Sequence, residues 1–123
     1  MPIMLNFLFH SHFEKEAAAM KRRFPAFSDA LESFKRLAEV QFALENPKQV
    51  MAPGKLHRVS TVGIYSLWKI ELAIKGVKSN QSPRIWFAIQ GTNLAFLCAK
   101  SHIDNYNNNE TDSFATSLIT DLF

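Results

Sequence analysis

The residues best suited to chemistry lie in one stretch. Between residues 47 and 102 stand Lys48, Lys55, Arg58, Lys69, Lys75, Lys78, Arg84 and Lys100, against a single acid, Glu71. The first 46 residues balance their charges, and residues 103–123 carry Asp104, Glu110, Asp112 and Asp121 with no base. The middle segment therefore holds more than the whole formal net charge of +3. Unpaired cations gathered in one region are the footprint of a polyanion partner. Among them an arginine has a distinct use, because its planar fork matches the oxygens of a phosphate. Lys100 is followed at once by Ser101-His102, with Tyr106 four residues further on. A histidine is the side chain whose ordinary pKa suits proton transfer near neutral pH. A tyrosine can stack on a nucleobase.

Other chemistries find little support. His10, His12 and His57 show no metal-ligand spacing with a cysteine or acid, so no metal and no cofactor are expected. Neither a glycine-rich phosphate loop nor a Ser–His–Asp set stands out. The one cysteine, Cys98, lies in the apolar run 94–99 and reads as a small buried hydrophobe, which suits a reducing cytosol. The N-terminus lacks the pattern of a signal peptide, and no apolar stretch approaches the ~20 residues of a membrane span. The expectation is a soluble cytoplasmic protein without a membrane partner. With 123 residues and 47% hydrophobic content, a single folded domain over 1–123 is expected.

Elements must then position these groups. Residues 3–9 are densely apolar and suit a buried first strand. Ser11 with Glu14 has capping-box spacing, and Phe13, Ala17, Met20 and Phe24 form a helical stripe that Pro25 ends. A second helix starts at Ser28 or Asp29, with Leu31, Phe34, Leu37, Val40 and Leu44 as its apolar face and Asn46-Pro47 as its stop. The two make a helical hairpin. Pro53-Gly54 marks a turn, with short extended pieces around 55–59. Residues 65–74 alternate, with Trp68, Ile70, Leu72 and Ile74 on one face and Tyr65, Lys69 and Glu71 on the other. Residues 84–90 alternate likewise, Ile85, Phe87 and Ile89 opposing Arg84, Trp86 and Ala88. Gly91-Thr92-Asn93 makes a turn into a last strand over 94–100. The tail reads as a short helix with Phe114, Leu118, Ile119 and Leu122 on one side and Asn109 and Asp112 at its cap.

The expected fold is α+β: an N-terminal strand and helical hairpin packed on an antiparallel sheet of about four strands, with a short C-terminal helix over the acidic 103–123 tail. The hairpin covers the face bearing Ile70, Leu72, Ile85 and Phe87. The opposite face, with Lys69, Arg84 and Lys100, is expected to stay open.

This pattern resembles the RelE/ParE superfamily of toxins of type II toxin–antitoxin systems. The likeness covers about residues 3–106. It rests on Phe13-Glu14-Lys15 opening a helical hairpin after a first strand, on Leu67-Trp68-Lys69-Ile70 beside Pro83-Arg84-Ile85-Trp86-Phe87, and on 94–99 running into Lys100-Ser101-His102 and Tyr106. Two features depart from it: Lys69 stands where many members carry arginine, and the tail past Tyr106 is long and acidic. The resemblance implies a ribosome-associated, metal-free mRNA endoribonuclease, held in a hetero-oligomer by a cognate antitoxin protein. In such a reaction a 2′-hydroxyl attacks the adjacent phosphate, which requires a base, an acid and cations for the phosphorane charge. Arg84 would hold the transition-state charge. Lys69 and Lys100 would hold flanking phosphates or act as base, and His102 and Tyr106 would move protons. Lys55 and Arg58 would bind the RNA backbone, and Trp86 would be either a stacking platform or core. Two alternatives stand beside it: a gyrase-poisoning toxin on the same fold, which needs no acid–base pair, and a non-catalytic RNA-binding module.

Overall fold

The computed structural model describes residues 5–43, 47–51 and 55–122. The chain runs β1 (Asn6–Phe9), α1 (Ser11–Arg23), α2 (Phe27–Gln41), β2 (Leu56–Val62), β3 (Tyr65–Glu71), β4 (Arg84–Gln90), β5 (Asn93–Lys100) and α3 (Asn108–Leu122). Single 3-10 turns at Ser79–Gln81 and His102–Asp104 punctuate the loops. This is the α+β architecture expected, with five strands rather than about four. The sheet order is β1-β5-β4-β3-β2. The three pairs within β2–β5 are antiparallel, whereas β1 runs parallel to β5, from Asn6 opposite Asn93 to Phe9 opposite Phe96. The turn at Pro53-Gly54, the second-helix residue Leu44, the stop at Asn46, and the strand residues Ile3 and Met4 lie outside the described residues.

Both tight links of the meander need a glycine. Gly63 has φ 60° between Val62 and its partner Tyr65, and Gly91 has φ 57° between Gln90 and Asn93. The left-handed region is open to glycine without steric cost, and two-residue hairpin loops demand it.

The hairpin α1–α2 buries one sheet face as the apolar spacing required. Phe13, Ala17 and Met20 from α1 and Phe27, Leu31, Phe34 and Ala38 from α2 pack on Ile70, Ile85, Phe87, Leu94 and Phe96. Aromatic rings make the centre of this layer: Phe96 lies 5.1 Å from both Phe9 and Phe13, and Phe34 meets Phe87 edge-on at 5.1 Å. Such offset and edge contacts each add about 0.5–1.5 kcal/mol beyond the burial itself.

Several local expectations need correction. The cap of α1 is His10, whose Nδ1 accepts the backbone N–H of His12, in place of Ser11. Helix α2 begins at Phe27, one residue before Ser28 and two before Asp29, with no side-chain cap, and its Leu37 and Val40 are left about two-fifths exposed. The cap of α3 is Asn107, which accepts from Glu110 N–H at 3.0 Å, in place of Asn109. The largest correction concerns the second sheet face, which is covered. Helix α3 lays Ala115, Leu118 and Ile119 over Leu67, Trp86, Ala88, Ala95, Leu97 and Cys98. These strand residues are apolar on both sides of the sheet, so leaving them in water would cost roughly 25 cal/mol per Å². Among the described residues the α3 stripe supplies the apolar surface that buries them. No helix among the described residues is long and apolar enough to cross a membrane.

Candidate functional site

Strand register explains which polar groups come together. On the α3 side, one row across the sheet reads His57, Lys69, Trp86 and Cys98. The next reads Glu71, Arg84 and Lys100. Residues two apart in a strand share a face, so both rows look toward α3. The helix begins beside the second row: Asn108 Oδ1 accepts from Arg84 Nη1 at 3.3 Å. The sheet margin past that point is therefore not roofed. A cleft of about 380 Å³ opens there, lined by Lys55, His57, Lys69, Ile70, Glu71 and Arg84. On the other side of Arg84 a second cleft, about 230 Å³, is lined by Ser82, His102, Asn105, Tyr106 and Asn108 among others. Arg84 belongs to both.

The cations differ in their partners. Lys69 Nζ lies 3.5 Å from Asp112 Oδ1, a long contact to an oxygen that Trp86 Nε1–H holds more closely at 2.7 Å. Lys100 is paired with Glu16 of α1. Lys55 meets Glu71 at 3.3 Å. None of the ion pairs among the described residues includes Arg84, whose contacts are the neutral amide of Asn108 and the phenol of Tyr106. Its strand partner Glu71, which meets Lys55, lines the first cleft beside it.

The second cleft is held open by an ionic node. Arg23, in the last turn of α1, donates to Ser101 Oγ and reaches Asp104 Oδ1, both at 2.9 Å. Asp104 Oδ2 accepts the Ser101 N–H at 2.7 Å. Burial pushes the Asp104 carboxyl up, but this N–H, the Arg23 guanidinium and the charge of Lys100 outweigh it and hold the group below its ordinary value. Asn105 then turns the chain at φ 48°, a region asparagine tolerates better than most residues, and delivers Tyr106 under Arg84. Tyr106 stands edge-on to Trp86 at 5.6 Å. Burial raises its pKa, with Arg84 pulling the other way, so the phenol keeps its proton at neutral pH.

Of the residues singled out from sequence, Arg84, Lys69 and Lys55 share the first cleft, and Arg84, His102 and Tyr106 the second. Lys100 is Arg84's strand partner but is occupied by Glu16. Arg58 falls on the other side of β2 from His57, opposite Trp68, and donates to Thr61 Oγ1 at 2.6 Å; it is not in either cleft. Trp86 is fully buried, so it is core and offers no stacking surface to RNA. Sequence reasoning missed His57, which the β2–β3 register sets opposite Lys69 at the cleft wall. It also missed Asn105 and Asn108, whose place depends on where α3 starts. The signal for His57 was its parity with Lys55 along a strand, which a bulge at Val59 obscures: Arg58 pairs with Trp68 and Ser60 with Leu67.

The fold and site thus define an α+β protein with a cationic, imidazole-flanked double cleft at one end of its sheet. No family model, curated protein or solved structure matches this chain.

Proposed function

We propose that this chain is an RNA-cleaving toxin of the RelE/ParE type, acting without a metal on mRNA in the cytoplasm, at the ribosome, and restrained by an antitoxin partner. One observation carries the reading: Arg84 sits between two polar clefts, each with an imidazole, and none of the ion pairs among the described residues includes it. A phosphodiester laid across Arg84 would have one nucleoside in each cleft. The 2′-oxygen would bond to phosphorus as the P–O5′ bond breaks, leaving a 2′,3′-cyclic phosphate and a 5′-hydroxyl. The developing phosphorane charge would fall on the Arg84 fork, where a preorganised donor is worth most. His57 would take the 2′-hydroxyl proton. Tyr106 and His102 would supply one to the leaving oxygen. Lys69, whose hold on Asp112 is long, can turn to a flanking phosphate.

The test is expression of the chain in growing bacteria with mapping of mRNA 5′ ends. The wild type is expected to arrest growth and generate new 5′-hydroxyl ends in mRNA. Arg84→Ala is expected to fold normally and do neither. Growth arrest by Arg84→Ala equal to wild type would remove the assignment. Intact mRNA accompanied by cleaved DNA would move the target to gyrase.

A further inference from the structure

Strand β1 pairs with Asn93–Phe96, so among the described residues the outer edge of β5 from Leu97 to Lys100 has no strand neighbour. Helix α1 closes that edge with a side chain: Glu16 Oε1 accepts the Ala99 N–H at 2.9 Å. Three metal-ligating groups converge here. His12 and Glu16 are four apart on α1 and share a face, and Cys98 comes from β5; one ligand atom from each lies within 4.8 Å of the other two. His12 Nε2 is sealed from solvent and lies 2.9 Å from Glu16 Oε1, so two of the three ligand atoms are already in contact. Spacing in the sequence did not suggest this set, because Cys98 is 82 residues beyond Glu16 and the sheet alone joins them.

We propose that His12 Nε2, a Glu16 carboxylate oxygen and Cys98 Sγ form a zinc-type site, binding a divalent cation of borderline softness at the junction of α1 and β5. The donor set favours that class: imidazole and thiolate select zinc over magnesium or calcium, which take oxygen ligands. Thiolate and carboxylate supply the negative charge, the carboxylate sharing its own with Lys100. Zinc–nitrogen and zinc–sulfur bonds of roughly 2.0–2.3 Å place tetrahedral ligand atoms between three and four ångströms apart, so the cluster needs only small side-chain shifts. The ligands are held from behind. Glu16 is fixed by Ala99 N–H and Lys100, and the His12 ring stands edge-on to Phe114 of α3 at 4.7 Å. Three protein ligands leave a fourth position for water, and His12, 28% exposed, is the ligand nearest solvent. Burial has pushed the Cys98 thiol up to about 12, so the ion must displace its proton, which leaves to solvent. This site is independent of the nuclease reading.

The experiment uses the purified full chain with cobalt(II) as the probe. A thiolate-to-cobalt charge-transfer band in the near ultraviolet, with tetrahedral visible bands displaced by zinc, is expected. Cys98→Ala and His12→Ala are each expected to weaken binding by at least about 100-fold, with far-ultraviolet circular dichroism unchanged. Glu14→Gln, on an exposed part of α1, is expected to leave the band intact. Zinc is also expected to raise the Tm of wild type and not of His12→Ala. Absence of the band at millimolar cobalt, or a band that survives His12→Ala, would overturn the site. Should Cys98→Ala fail to fold, the partly exposed His12→Ala decides the matter alone.

Discussion

The two faces of the sheet are buried by different means. Beneath the helical hairpin, large rings interlock: Phe13, Phe34, Phe87 and Phe96 are almost wholly excluded from water. Beneath α3 the strands present smaller residues, Ala88, Ala95 and Cys98 beside Leu67, Leu97 and Trp86, and one helix suffices to cover them. That helix is also held by polar pins: Asp112 to Trp86 and Lys69, Asn108 to Arg84, and Asp121 to His10 at 3.0 Å. The hairpin face is mainly packing, with polar ties at its margin from Glu16 and Arg23. The α3 face is packing at one end and charged cleft at the other, because α3 starts only after the chain has turned under Arg84. A cover made of one helix leaves a margin of sheet in water, and that margin is where the cations collect.

Breaking the packed face is expected to have the largest effect. Phe96 touches Phe7, Phe9, Phe13 and Phe34, so Phe96→Ala removes the hub of the ring cluster. Truncation of a buried phenylalanine costs about 3–5 kcal/mol. That is a large part of the ~5–15 kcal/mol that holds a domain together. Urea denaturation monitored by circular dichroism measures it. Next comes Arg84→Ala, which is expected to lower the rate of RNA cleavage about 10²–10³-fold, the loss seen on removing one preorganised donor. The same variant should keep its urea midpoint, since Arg84 is only partly buried and bonded to neutral groups. A variant that lost both stability and cleavage would erase the contrast between the packed and the charged parts of the sheet.

The third effect tests whether α3 is the lighter cover. Leu118 is 6% exposed and packs on the small-residue side. Leu118→Ala is expected to cost about 2 kcal/mol, the low end for such a truncation, because a lone helix can settle into the space. A loss equal to that of Phe96→Ala would mean that the two layers are equally tight.

The difference between the faces also governs what could be read without coordinates. The alternation of Ile85 and Phe87 against Arg84 and Trp86 is a property of two-residue periodicity, and it placed the Arg84 side chain on the correct face. The hairpin stripe Phe13, Ala17 and Met20 was equally plain. Periodicity says which residues share a face but not what lies over it. Lys69 is 43 residues from Asp112, and Lys100 is 84 from Glu16, so neither carboxylate partner could be seen along the chain. In β2 the extended pieces around 55–59 were legible, but the polar composition and the bulge at Val59 hid the strand's continuation to Val62 and the register that places His57. Leu37 and Val40 share the apolar stripe of α2 yet stand about two-fifths exposed, which periodicity alone does not reveal.

The smallest effect concerns the node that shapes the second cleft. Asp104 accepts from Ser101 N–H and reaches Arg23, and its carboxyl sits below the ordinary value near about 3.9. A lowered pKa in the folded state means that the native protein binds this proton less readily than the unfolded chain does. Its contribution to stability is then fully present above the unfolded value and disappears as pH falls through the lowered folded one. Arg23 stays charged throughout, so the change belongs to the aspartate. Asp104→Asn is therefore expected to cost roughly 1 kcal/mol at pH 7, and its unfolding free energy should converge with that of wild type as the solution is acidified below the aspartate range. Because the node holds the loop that carries His102 and Tyr106, the same variant should slow RNA cleavage several-fold while leaving the hairpin face untouched. A gap between the two proteins that stayed constant with falling pH would mean that the aspartate acts through shape alone, and the charge of Arg23 would no longer account for the position of Tyr106.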